Sequence, residues 1–132
     1  MSMEYQTMEQ KRAKHAWKTI QTVKQSADRI KEFGAQTKKL PVRILTSGLG
    51  PSLAFLAAKK YAPDLQSALN NWIADRDWAK SSTATSNPNA SLIQRIIEND
   101  AEFLRLATNE CMAYLQWLVR FAEAEGLVDN IS

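Results

Sequence analysis

Apolar residues recur along the first third of the chain at Ala13, Ala16, Trp17, Ile20, Val23, Ala27, Ile30 and Phe33, in steps of three and four. That period is the signature of an amphipathic helix and predicts one long helix over 7–33. Gly34 follows the last apolar position and reads as its C-cap, since glycine enters the left-handed region without a Cβ clash. Pro41 can open a second helix through Val42, Ile44 and Leu45 to about Ser47, because the first turn does not use its missing N–H. Gly48-Leu49-Gly50 then breaks the pattern, and Pro51 starts a third piece. Leu53 to Ala58 is apolar all round, which predicts a segment buried on most sides.

Pro63-Asp64 stops that segment and caps a fourth helix over roughly 64–78, with Leu65, Ala68, Leu69, Trp72 and Arg76 on one face. Residues 79–90 are polar and rich in turn formers, and read as a mobile loop. Leu92, Ile93, Ile96 and Ile97 mark a short fifth helix. Asn99-Asp100 caps or bends it into a final helix over about 100–125, closed by Gly126. Its main stripe is Leu104, Ala107, Cys111, Tyr114, Leu115, Leu118 and Ala122. A second stripe, with Leu106, Glu110, Ala113, Trp117 and Ala124, lies roughly 90° away. Either a short internal helix or a partner subunit would bury it, which makes Leu106 and Trp117 the candidate subunit-interface residues. No strand-like alternation bounded by hairpin turns occurs. The expected fold is all-α: one domain over 1–132, a bundle of about six helices, two long ones framing shorter ones.

Composition fits this picture. A chain of 132 residues buries roughly 68–70% of its unfolded surface and needs no metal or disulfide to hold it. Cys111 is the only cysteine, which excludes an internal disulfide and suggests a reducing compartment. The polar start carries no secretory pattern, and the run from Leu53 to Ala58 falls far short of the ~18 apolar residues of a membrane span. A cytoplasmic protein is expected, with no membrane partner.

Charge changes the picture more. Residues 1–43 hold ten Lys/Arg against four Asp/Glu, whereas residues 92–132 hold three against seven. A chain with one basic and one acidic end can bind a polyanion, or stack head-to-tail with copies of itself. On a single helix over 7–33, Lys11, Lys14, Lys18, Gln25 and Arg29 lie opposite the apolar face. They would form a cationic ridge about 27 Å long. Arg12 flanks the apolar face, and Lys38, Lys39 and Arg43 would extend the field past the turn. Such a ridge suits a phosphate backbone, which offers spaced charges without base reading. Trp17 and Trp72 lie on or beside apolar stripes and read as core.

Catalytic chemistry is sparse. His15 is the only histidine, and among lysines it reads as solvated; Cys111 sits mid-stripe and reads as a buried structural thiol. No Glu-x-x-His pair supports a di-iron centre, since Arg12 stands three before His15. Asp75 and Asp77 face different directions on a helix, so they share no metal. Gly48-Leu49-Gly50-Pro51 lacks the Lys-Ser/Thr ending of a phosphate loop. No cofactor, no metal and no enzymatic activity are expected.

Four segments carry a family resemblance: KRAKHAW at 11–17, KKLPVRIL at 38–45, GLGPSLAFL at 48–56, and RLATNEC followed by WLVRFAE at 105–123. Together they resemble the small all-helical subunit of the type III-B CRISPR effector, the Cmr RNA-targeting complex. The resemblance implies a non-catalytic building block that stacks with copies of itself. Its implied partners are repeat-fold backbone subunits, guide RNA and single-stranded target RNA. Of the cationic positions, Arg12, Lys14, Lys38 and Lys39 fall within matched segments. A helical protein-interaction module or nucleic-acid-binding regulator outside CRISPR systems is the alternative reading.

Overall fold

The computed structural model of the chain describes residues 5–81 and 89–128, and within them all regular structure is helical. Thr7 opens the first helix, α1 (Met8–Val23), by a reciprocal cap: its hydroxyl accepts from the Gln10 backbone N–H at 3.1 Å, and the Gln10 side chain accepts from the Thr7 N–H at 2.8 Å. The helix ends earlier than periodicity predicts. Gln25 and Ser26 bond back by three residues to Thr22 and Val23, and Ser26 turns extended before α2 (Ala27–Ser47) starts. The apolar spacing runs through this corner because both helices turn their stripes to one core. Ser26 with Asp28 two residues on is the helix-start signal that marks the break.

Gly34 and Pro41 therefore lie inside α2, not at its ends. Gly34 is there for close approach: a Cβ on it would fall 2.0 Å from the Leu127 carbonyl oxygen. Pro41 has no N–H to donate to the Thr37 carbonyl, as holds for any mid-helix proline. Gly48, at φ 91°, makes the corner into α3 (Leu49–Lys59), so the expected break is present and Pro51 lies in the first turn. Only one face of α3 is covered, by Leu49, Ser52, Leu53 and Leu56. Ala54, Ala57 and Ala58 are exposed, because small apolar residues cost little in water and do not compel burial.

Two left-handed residues, Lys60 (φ 57°) and Ala62 (φ 46°), reverse the chain into α4 (Pro63–Ala74). The Ala62 N–H is held by the Glu32 carboxylate of α2 at 2.5 Å. The predicted fourth helix is divided at Arg76, with a single turn, α5 (Asp77–Lys80), following. The loop expected over 79–90 falls largely on residues 82–88, outside the described residues; Ala79 belongs to α5 and is buried. Ser91 caps α6 (Leu92–Glu98), and Asp100 caps α7 (Ala101–Ala124) through Phe103.

The core lies around α7. Its ties to α1 rise together along both chains, from Arg12–Glu110 to Lys24–Glu125, so the two helices run parallel. In α2 the order is reversed, with Gly34 against Leu127 and Pro41 beside the 112–121 stretch. Ala107, Cys111, Tyr114, Leu115, Leu118 and Ala122 are fully buried, as the main stripe predicts. Leu104 is exposed, and Phe103 takes its place against Trp78.

Candidate nucleic-acid interface

Helical spacing puts Lys11, Lys14 and Lys18 on one stripe of α1, at steps of three and four. All three are exposed, and none forms an ion pair among the described residues. Together they span about 11 Å of helix. The 27 Å ridge is not present, because the chain turns at residues 24–26 and Arg29 sits on α2. Arg29 is half exposed and lies 3.2 Å from Asp64 of α4. Lys38 and Lys39 are exposed on α2, whose reversed direction takes them off the line of the α1 lysines. Arg43 is half-buried; its guanidinium covers the Phe55 ring at 4.2 Å and donates to Gln36 Oε1 at 3.1 Å.

Arg12 points the other way. Its guanidinium grips the buried Glu110 carboxylate of α7 with Nε at 2.6 Å and a second nitrogen at 2.9 Å, and also reaches Glu9 at 2.7 Å. Trp72 Nε1 of α4 donates to the same carboxylate at 2.9 Å. Burial pushes the Glu110 carboxyl up, but the bonds from Arg12 and Trp72 outweigh it and leave it below its ordinary range. The bond to Glu110 raises the Arg12 guanidinium in turn. Glu110 is thus not part of an uncovered stripe; it joins α1, α4 and α7.

His15 also departs from expectation. It is half-buried, with Nδ1 2.7 Å from the Tyr114 hydroxyl and its ring 5.3 Å from those of Trp72 and Tyr114. Burial first, then the charge of Arg76, lowers its pKa and keeps the imidazole neutral. Arg76 stacks over Trp72 at 3.5 Å. Periodicity could not find this cluster, since His15 and Trp72 meet only through the α1–α4 contact. Cys111 is fully buried, as expected, and burial pushes its thiol far up.

Of the interface candidates, Leu106 is half-buried. Trp117 packs on Phe121, which in turn meets Trp17 edge-on at 5.3 Å. Trp17 is 44% exposed and so is not core. Trp117 and Phe121 line a groove of about 670 Å³ with Pro41, Met112 and Gln116.

The family model described as CRISPR-associated protein (Cas_Cmr5) matches residues 8–125. The chain belongs to this family, the Cmr5 small subunits of type III-B CRISPR complexes. The match runs from the first residue of α1 to the cap of α7, so every helix of the bundle lies inside it. As a Cmr5 member the chain is a CRISPR-associated subunit of a Cmr complex, alongside other Cmr proteins. Among the described residues, no group of three metal-ligating side chains occurs, and no helix is long and apolar enough to cross a membrane.

Proposed function

We propose that the chain is a non-catalytic structural subunit of a type III-B ribonucleoprotein of antiviral defence, working in the cytoplasm. It binds the backbone of guide or single-stranded target RNA through Lys11, Lys14 and Lys18. The carrying observation is that these three ammonium groups share one exposed stripe and form no ion pair among the described residues. Lys38, Lys39, Arg29 and Arg43 lie off this stripe and add separate contacts. Arg29 and Arg43 do so with part of their charge engaged by Asp64 and Gln36, and Lys38 is also engaged within the fold. Arg12 is left out of the contact set, because its fork is filled by Glu110 and Glu9.

Copies stack head-to-tail, the basic first third of one meeting the acidic final helix of the next. Leu106 and Trp117 contribute apolar area there or toward a repeat-fold backbone subunit. The aromatic row of Trp17, Phe121 and Trp117 also supports the second reading, a protein-interaction module that never meets RNA. Changing Lys11, Lys14 and Lys18 together to Glu decides between them. RNA capture by the assembled complex should fall, with a salt slope reduced by roughly 0.7 for each phosphate no longer neutralised. Unchanged RNA capture with this variant would sink the RNA reading.

A further inference from the structure

A polar pocket of about 250 Å³ lies between α1 and α4 beside Lys18, with His15 and Ser67 in its lining. The α2–α3 pair holds a better-defined set of donors. These helices run antiparallel from the Gly48 corner: Arg43 meets Phe55, while Glu32, further back on α2, bonds the Ala62 N–H beyond the end of α3. Gln36, Lys39 and Arg43 follow at steps of three and four on the α2 face turned to α3. Phe55 and Lys59 stand one turn apart on α3, and the Tyr61 ring braces Phe55 edge-on at 6.1 Å.

Arg43 is the centre of this group. Its guanidinium lies over the Phe55 ring at 4.2 Å, and Nη1 donates to the buried Gln36 at 3.1 Å, so two contacts hold its plane. The Nε and Nη2 donors make no hydrogen bond to a described residue, and neither is shut off from solvent. That pair of nitrogens is the edge that takes an oxyanion side-on. Arg12 uses the same edge within this chain: its Nε and Nη2 meet the two Glu110 oxygens at 2.6 and 2.9 Å. Beside Arg43, Lys39 and Lys59 are exposed and form no ion pair among the described residues.

We propose that Arg43 is a preset phosphate fork: its Nε–Nη2 edge takes one backbone phosphate of single-stranded RNA side-on, and Lys39 and Lys59 engage the phosphates beside it. The proposal rests on the RNA reading above and adds a contact of a different kind. An ammonium on a flexible stem acts as a point charge. A guanidinium already held by Phe55 and Gln36 loses little freedom on binding, so it adds directed hydrogen bonds as well as charge. Phosphates recur along a strand, which matches one fork flanked by two lysines; a lone carboxylate would leave those lysines without partners.

The test titrates the full chain with single-stranded RNA at several salt concentrations. Arg43→Lys keeps the charge and removes the fork, so affinity should fall roughly three- to tenfold with the salt slope unchanged. Lys39→Gln/Lys59→Gln should instead flatten the slope by roughly 1.4, two phosphates at about 0.7 each. Phe55→Leu removes the platform, and adding Arg43→Lys to it should cost little more, because both changes disable one device. A readout on the parent chain needs no variant to fold: the Arg43 Nε–H resonance should shift with RNA and stay still with an uncharged methylphosphonate strand. Full affinity in Arg43→Lys and a silent resonance, with binding still lost in Lys14→Glu/Lys18→Glu, would overturn the fork and keep the α1 face. Binding insensitive to both sets of variants would overturn both. If Arg43→Lys abolished co-purification with Cmr proteins but left RNA binding intact, the ligand would be a protein carboxylate, and the proposal would fall.

Discussion

Lys11, Arg12 and Lys14 share one turn of α1 and one sign of charge, yet they stand in opposite environments. The lysines are exposed and form no ion pair among the described residues, whereas Arg12 is clamped by a buried carboxylate 98 residues away in the chain. The difference comes from direction. Arg12 flanks the apolar stripe and leans toward α7, where Glu110 and the Trp72 indole complete a satisfied charged centre. A guanidinium suits that place, since its planar fork meets a carboxylate with two bonds; an ammonium suits the solvated ridge. Charge counted along a sequence thus holds two unlike populations, one that holds the fold and one free to meet a partner.

The strongest way to break this comparison is Glu110→Ala. It leaves the Arg12 guanidinium partly buried without its main partner and should cost about 3–5 kcal/mol in denaturant unfolding. Lys14→Ala, one turn away, should stay within about 0.5 kcal/mol. Equal costs for the two would mean that Arg12 and the lysines are alike after all.

Next in size is the reciprocal experiment on binding. Lys14→Glu/Lys18→Glu should weaken single-stranded RNA binding about tenfold or more and flatten the salt slope by roughly 1.4, with thermal stability kept. Salt sharpens the contrast further. Raising ionic strength from 0.1 to 1 M shortens the screening length from about 10 to about 3 Å. RNA binding should collapse over that range, and the melting temperature should move little, because Arg12–Glu110 is sheltered.

The smallest effect is acid sensitivity. The His15 pKa is lowered on folding, so the unfolded chain takes up the proton first. Its stabilisation is present above about pH 6.5 and is lost as pH falls below that value. Glu110 is also lowered, so its share persists to below about pH 4.5 and is lost as pH falls through the folded value. A stability profile should therefore fall in two steps. His15→Phe should remove the upper step alone; a profile without that step in the parent chain would count against the buried, neutral histidine.

Much of the fold was legible in the residue pattern. The α7 stripe, the α6 helix, the Gly48 corner and the buried Cys111 all follow from spacing and turn chemistry. The 24–26 corner was not, because a helix pair that shares one core keeps its three-four rhythm across the break. Gly34 misled for a related reason: a glycine needed for close approach looks, in sequence, like a glycine needed for a left-handed cap. Of the proposed site, the lysine stripe could be read from the sequence, but the pocket beside it could not. Its lining comes from α1 and α4, and His15 meets Tyr114 and Trp72 only because α1 packs on α7 and α4.

By itself the sequence determined an all-helical bundle, the place of its last helices, the excess of positive charge near its start, and the resemblance to the Cmr5 family. These depend on local periodicity, composition and motif, which need no partner across the fold. The tertiary structure alone decided which cation is free. It paired Arg12 with Glu110, drew His15 into the Trp72–Tyr114 cluster, turned Trp17 partly outward, and placed a polar pocket at the end of the lysine stripe. Each of these depends on side chains meeting from helices far apart in the chain. Burial and hydrogen-bond geometry between such groups, not their order, set the charge and accessibility of every one.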